Sequence, residues 1–192
     1  MLLGVTDLSA SAEGFTLIEV LVSLLLFTVG LLGYASLELT VQRFHWEIHQ
    51  RTYAVNLASY MANQVRSNPI AQGCYNLGSV EAGSAQETPF QCVGLGTLET
   101  RALAQADVNQ WSALLRGEGQ MVDKLNSGGL TNARGCITFD ASNNGYLVTV
   151  VWQGLTASVA TLGRCGDGFY GEGDNRWRRS TQYWVSVASL DG

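Results

Sequence analysis

The chain is poor in charge, and its N-terminal part lacks basic residues and proline. Charged residues make up 14% of the 192 residues, no Lys or Arg precedes Arg43, and no proline precedes Pro69. A nucleic-acid-binding protein needs a basic surface, which a formal charge of -5 does not supply. Because 22 glycines accompany the low charge, the composition suits a loop-rich extracellular domain better than a helical cytosolic enzyme.

Motifs of common enzymes are also missing. The sequence contains no G-x-S-x-G elbow and no G-x-x-x-x-G-K loop. His45 and His49 share a helix face, but Trp46 stands where a zinc protease has its glutamate. We therefore interpret the two histidines as a structural pair near a membrane interface and expect no enzyme and no cofactor.

A glycine-dense, acidic segment at 163–175 could suggest a calcium site. Asp167, Glu172 and Asp174 provide carboxylates there. Their spacing does not match the helix-loop-helix calcium loop. We expect no metal and interpret the segment as a loop tied at Cys165.

An apolar segment runs from Phe15 to about Leu37, with Glu19 as its only charge. It is long enough to cross the roughly 30 Å hydrocarbon core of a bilayer. A carboxylate at the bilayer centre costs at least about 2.5–3.5 kcal/mol. Glu19 is therefore either a tolerated interfacial acid or paired with a cation. No basic residue is nearby, but cleavage before Phe15 would create a suitable amine.

Residues 1–14 have the character of a removable leader. They are short and become polar towards their end. Ala10-Ser11-Ala12 resembles a secretory cleavage site, but it precedes the apolar segment, whereas an ordinary signal places that segment before the cut. Cleavage after Gly14 would remove the leader and keep the helix.

Helical spacing continues beyond the apolar segment. Apolar residues recur at steps of three, four and seven, namely Val41, Phe44, Ile48, Val55, Ala58, Ala62 and Val65. Asn68 precedes Pro69 and should end the helix. At 1.5 Å per residue, a helix over 15–67 is about 80 Å long. We expect 15–39 to be the membrane segment and 40–68 an amphipathic continuation covered by a globular domain.

The remaining residues, 69–192, predict a mixed domain. Residues 97–115 have mostly helical spacing, and Gly117 follows them. Strand signals cover 136–139 and 146–153, with the hairpin signature Asn143-Asn144-Gly145 between them. Residues 181–187 alternate and predict a further strand. The expected fold class is α+β, with the long N-terminal helix packed on an antiparallel sheet.

Four cysteines lie in this domain: Cys74, Cys92, Cys136 and Cys165. No C-x-x-C pair occurs, which argues against zinc. An even count after a membrane-targeting segment favours disulfides in an oxidising compartment. Three pairings are open, and we favour Cys74 with Cys92 and Cys136 with Cys165 because each closes a local loop. Each loop would contribute about 3 kcal/mol in the chain-entropy model.

The only dense basic cluster is Arg176, Trp177, Arg178 and Arg179. Such a cluster can stack on bases or sugars, pair with the acidic loop beside it, or contact a neighbouring protein. We favour partner contact or a solvated edge because the rest of the chain is acidic.

The segment Gly14–Glu19, read GFTLIE, followed by a long apolar helix, resembles the type IV prepilin motif. The resemblance implies that a prepilin peptidase cuts after Gly14 and methylates the new amino terminus at Phe15. It also implies that Glu19 neutralises an amino terminus in the assembled filament, and that the fold is a pilin fold with disulfide-tied loops. The leader departs from the family pattern because its only charges are Asp7 and Glu13.

Later features narrow the resemblance to minor pilins of the PilV type. These features are the Asn-Pro helix exit, an early cysteine, and the strand 146–153 before Gly154. The subfamily implies a role in initiating pilus assembly or at the pilus tip, in twitching motility and adhesion. It implies other minor pilins, the major pilin and the inner membrane of a Gram-negative bacterium as partners, with a periplasmic domain that reaches the cell surface.

Two other functions remain open on the sequence. A minor pseudopilin of a type II secretion system uses the same cut and helix. A membrane-anchored adhesin would use Trp177 and the neighbouring arginines as its contact surface.

Overall fold

The computed structural model describes residues 14–78, 80–83, 90–118, 129–159, 163–171 and 175–187, and the backbone of 121–122 and 125–126. It forms two compact units, Met1–Phe44 and His45–Gly192. The helices are α1 (Leu17–Ser67), a 3-10 helix (Pro69–Tyr75) and α2 (Leu98–Leu115). The strands are β1 (Met121–Val122), β2 (Leu125–Asn126), β3 (Arg134–Asp140), β4 (Gly145–Gln153) and β5 (Arg178–Ser186).

The ends of α1 follow from local chemistry. The Thr16 hydroxyl accepts a hydrogen bond from the Glu19 amide at 3.4 Å, as a capping residue does. The helix ends at Ser67 because Asn68 precedes Pro69 and is pushed out of the helical region. The predicted helix end is therefore correct within one residue.

The buried face of α1 differs from the predicted apolar stripe. Ala58, Ala62 and Val65 are buried, but Ile48 and Val55 are 65% and 41% exposed. The full buried set is Gln50, Ala54, Leu57, Ala58, Met61, Ala62 and Val65. The sheet packs against the alanine-rich face, since small side chains allow close approach. The larger apolar residues 41, 44 and 48 instead continue the exposed apolar surface of the preceding segment.

Strands β3, β4 and β5 form one antiparallel sheet in that order. The predicted hairpin joins β3 to β4, and Asn144 takes a left-handed conformation with φ of 43°. Strand β5 begins at Arg178, three residues before the predicted start. The inner face of the sheet carries Ile137, Val148, Val150 and Val185, all fully buried in the core with α1 and α2. The α+β class with a long helix on an antiparallel sheet is confirmed.

Trp111 lies at the centre of this core and is fully buried. Its indole N–H donates to the Leu57 carbonyl of α1 at 3.0 Å. Its ring lies against Gly135 of β3, where any Cβ would overlap it. One side chain of α2 thus contacts both the helix and the sheet.

A buried carboxylate joins the two helices to the 3-10 helix. Asp107 of α2 is 5% exposed. It accepts hydrogen bonds from the Tyr75 hydroxyl at 2.6 Å and from the Gln64 amide at 3.0 Å. Burial, followed by the hydrogen bond to Asp107, raises the pKa of Tyr75 well above its usual range, so its hydroxyl stays a donor.

We predict that Gly135→Ala lowers the free energy of unfolding by about 1–3 kcal/mol, because the added methyl overlaps the Trp111 ring. Denaturant unfolding of the disulfide-intact protein measures the effect. Trp111→Leu removes the ring, which is the nearest neighbour of the added methyl, while Leu115 remains, so the double variant should lose less than the sum of the two single variants. Simple additivity would show that the ring does not set the requirement for glycine.

Candidate functional site

The segment Gly14–Glu19 opens the apolar N-terminal part of α1, which is exposed in this chain. Phe15 and Leu17 are 82% and 78% exposed. The same holds throughout the described part of the first unit, where every residue from 14 to 44 is exposed. Helix α1 contains an 18-residue window apolar enough to cross a membrane, near the N-terminus and with none of it buried.

Polar side chains in this apolar segment are satisfied, with one exception. Between Leu17 and Gly33 they are Glu19, Ser23 and Thr28. The Ser23 hydroxyl donates to the Val20 carbonyl at 2.9 Å, and the Thr28 hydroxyl donates to the Leu25 carbonyl at 2.8 Å. No described residue bonds to the Glu19 carboxylate. Between Leu17 and Gly33, Glu19 is thus the described polar side chain without a bond inside the chain, and its burial in an apolar layer without a partner would be costly.

The position of Glu19 suits a carboxylate that receives a cation. It lies in the first turn of α1, where the partial positive charge of the helix terminus favours an acid. Gly14, Phe15 and Thr16 precede the helix without regular structure. The predicted cleavage bond between Gly14 and Phe15 thus lies outside the hydrogen-bonded helix. Residues 1–13 of the predicted leader lie outside the described residues.

Glycines at 30 and 33 interrupt the side-chain surface but not the helix. A Cβ placed on either glycine would meet nothing within 4 Å. Both lie inside continuous α1. No contact within the described chain requires glycine at these positions.

The cysteines pair as favoured from the sequence. Disulfides join Cys74 to Cys92 and Cys136 to Cys165. The second one ties the segment 163–171 to β3, on the face of the sheet away from α1. Glu81, Cys136 and Cys165 lie close together, but sulfurs in a disulfide are not thiolate ligands.

Further contacts hold the segment 163–171 over the sheet. The Tyr170 hydroxyl donates to the Asn132 carbonyl at 2.6 Å. Burial raises the pKa of Tyr170 well above its usual range, so the hydroxyl remains a donor. The Gly166 amide donates to the Glu81 carboxylate at 2.7 Å.

The structure corrects part of the predicted partner-contact cluster. Arg178 is 3% exposed, and its guanidinium donates to the Cys165 carbonyl at 3.0 Å. It also lies 3.9 Å from the Asp167 carboxylate. Arg178 therefore holds the disulfide-tied segment. Its side chain is buried and bonded inside the domain, so it is not accessible to an external partner.

Arg179 points to the opposite face of the sheet. It pairs with Glu47 of α1 at 2.9 Å and donates to the Ser158 hydroxyl at 2.6 Å. Strand geometry explains the split, because Arg178 and Arg179 are neighbours in β5 and neighbouring residues of a strand face opposite sides. Arg176 and Trp177 are exposed, so partner contact stays a prediction for these two residues.

The metal interpretations gain no support among the described residues. Asp167 accepts a hydrogen bond from the Asn175 amide at 2.6 Å, while Glu172 and Asp174 lie outside the described residues. His45 and His49 are both exposed. Trp46 makes an edge contact with the His49 ring at 6.3 Å between centroids, and no described carboxylate joins the two histidines in a metal-binding group.

Comparison with known families gives one result. Residues 10–35 match the family model of the prokaryotic N-terminal methylation motif. This is the type IV pilin-like signal, and it supports a type IV pilin-like or pseudopilin protein with a membrane-anchoring N-terminal helix. Searches against curated proteins and solved structures gave no significant match.

We predict that Arg178→Gln lowers the free energy of unfolding by about 1.5–3 kcal/mol, because it removes the charged, buried donor that bonds to the Cys165 carbonyl. Arg164→Gln is the matched control, since Arg164 is exposed on the same segment, and it should change stability by less than about 0.5 kcal/mol. Equal losses in thermal or denaturant unfolding would contradict the structural role of Arg178.

Proposed function

We propose that this protein is a minor pilin of a type IV pilus, made as a membrane-anchored precursor. Prepilin peptidase cuts it after Gly14 and methylates Phe15. The helix then carries it into the filament, where it acts in assembly initiation or at the tip. The observation that carries the proposal is Glu19, a carboxylate without a described partner inside the matched methylation motif.

The energetics of the apolar segment support this assignment. The Ser23 and Thr28 hydroxyls are bonded within the helix, so between Leu17 and Gly33 the Glu19 carboxylate is the polar side chain that most opposes transfer into an apolar environment. A carboxylate near the bilayer centre costs at least about 2.5–3.5 kcal/mol. An amino terminus produced by the cut offsets part of that penalty when it pairs with Glu19 of an adjacent subunit. Assembly then offsets the free-energy cost of placing the unpaired Glu19 carboxylate of an isolated subunit in the bilayer.

The globular domain supports an assembly role over catalysis. Two of its buried polar side chains serve packing: Asp107 joins three helical elements, and Arg178 fastens a loop. The domain follows the membrane segment and carries two disulfides, which suits a periplasmic location in a Gram-negative bacterium.

A minor pseudopilin of a type II secretion system is the second candidate, because the methylation motif serves both classes equally. The two differ in their neighbours. Co-purification of the mature protein with pilus subunits supports the minor pilin, whereas co-purification with secretion components supports the pseudopilin.

We predict that the mature protein begins at a methylated Phe15. Mass spectrometry of the N-terminal peptide from membranes measures this. Gly14→Leu should block the cut, and the precursor should then keep residues 1–14. A mature protein that retains Met1 would rule out the processing pathway and the proposed function with it.

We predict that Glu19→Ala leaves cleavage after Gly14 intact but lowers recovery of the protein in sheared pili by about tenfold or more, because pairing with an amino terminus is lost. Glu19→Asp keeps the charge and should recover part of the loss. Glu38→Ala is the control for removing an acid elsewhere in α1. Normal recovery of the Glu19→Ala protein would exclude the pairing role.

A further inference from the structure

A cavity of about 540 Å³ lies on the outer face of the β3–β4–β5 sheet, which is the face turned away from the buried core. Its volume falls within the roughly 300–1,000 Å³ that is usual for small-molecule sites. Twelve described residues line it. Seven belong to the three strands, and the other five are at positions 78, 81 and 163–165. The strands therefore form the floor of the cavity, and the two bordering segments form its wall.

The floor carries four neutral polar side chains to which no described residue donates or accepts a hydrogen bond. They are Thr138, Thr149, Ser180 and Gln182. Thr149 is central, because it lies directly opposite Gln182 of β5, with Thr138 and Ser180 on its two diagonals. Opposite side chains are about 4.5–5.5 Å apart at Cβ, and diagonal ones about 7–8 Å. Thr149 is 7% exposed, so a ligand here meets a buried hydroxyl that the described chain does not use.

Apolar side chains separate the polar ones along β4. Leu147 and Val151 line the cavity on either side of Thr149, each about 7 Å from it along the strand. The disulfide between Cys136 and Cys165 adds a further uncharged surface. A matching ligand combines C–H surface with several groups that both donate and accept hydrogen bonds. A pyranose sugar has both, because its hydroxyls project from the edge of a ring whose faces carry C–H groups.

The two charged residues of the lining are Glu81 and Arg164, and they differ in their partners. The Glu81 carboxylate accepts a hydrogen bond from the Gly166 amide at 2.7 Å and lies 3.7 Å from the Arg134 guanidinium. Arg164 is exposed, and no described residue bonds to its guanidinium. A guanidinium can bind a carboxylate through two parallel hydrogen bonds. A dianionic phosphate is less suitable, because Glu81 lines the same cavity and repels the second negative charge.

We propose that this cavity binds an acidic sugar, which is a pyranose ring that carries one carboxylate. Arg164 binds the carboxylate. Thr149 and Gln182 bond to ring hydroxyls, while Leu147 and Val151 contact a C–H face of the ring. Uronic acids are the simplest ligands with this chemistry. The inference is independent of the proposed function, because it uses only residues of the second compact unit and involves neither the cut nor the filament.

The test uses the full-length protein in detergent with both disulfides intact. Ligand-observed NMR titrations measure the binding of glucuronate, and of galacturonate and mannuronate, which each differ from glucuronate at one ring hydroxyl. We expect at least one uronate to bind with a Kd of about 1 mM or lower. Glucose lacks the carboxylate, acetate lacks the ring, and glucose 6-phosphate carries a dianion. Each of these three should bind at least about fivefold more weakly than the best uronate.

Substitutions test the roles of single residues. Arg164→Gln should weaken uronate binding by about fivefold or more, towards that of glucose, because a charged hydrogen bond is lost. Arg51→Gln is the matched control, since Arg51 is exposed on α1 and outside the cavity lining, and it should leave the Kd unchanged. Thr149→Val removes the hydroxyl and keeps a branched side chain, so it should weaken binding about fivefold. Thr149→Ser keeps the hydroxyl and should lose less.

Several results would each overturn the inference. They are no uronate binding up to about 10 mM, a control ligand that binds as tightly as the best uronate, equal losses in the Arg164 and Arg51 variants, and an unchanged Kd for folded Thr149→Val. The comparison of ligands needs no variant, and Arg164 is exposed, so the test stands even if Thr149→Val does not fold. The N-terminus of Phe15 plays no part in these titrations, so their failure would leave the proposed function intact.

Discussion

The domain depends on the packing of Trp111 between helix α1 and strand β3. The indole donates to the Leu57 carbonyl, and its ring occupies the space that a side chain at Gly135 would need. Replacing this contact would separate the helix from the sheet as well as open a cavity. The alanines on α1 also help the helix to pack on the domain. Ala54, Ala58 and Ala62 are buried, and their side chains are small.

The N-terminal unit obeys a different constraint. Its described residues are exposed, most of them are apolar, and the Ser23 and Thr28 hydroxyls are bonded within the helix. A carboxylate such as Glu19 is costly in an apolar layer unless it meets a cation. The matched methylation motif is consistent with such a cation being an amino terminus.

Much of this architecture could be predicted from local sequence, and the errors have physical causes. The Asn68-Pro69 pair predicted the end of α1, and the Asn143-Asn144-Gly145 turn predicted the hairpin. Both predictions succeeded because these signals depend only on residues next to one another in the sequence. The buried face of α1 was predicted wrongly, since a helical period identifies faces but not which one the sheet will contact. Arg178 was assigned to an external partner because its burial depends on a loop tied at Cys165.

The buried Asp107 has a mechanical consequence for the domain. Its donors come from Gln64 on α1 and Tyr75 on the 3-10 helix, so the carboxylate fixes the axial position of α1. Sliding α1 by one turn, about 5.4 Å, would move Gln64 away and leave the buried Asp107 carboxylate without one of its two donors. An interface made only of apolar contacts could form new contacts after such a shift. The hydrogen bonds of Asp107 therefore resist a pulling force along α1 and transmit it to α2, so the helix does not slide along an apolar interface.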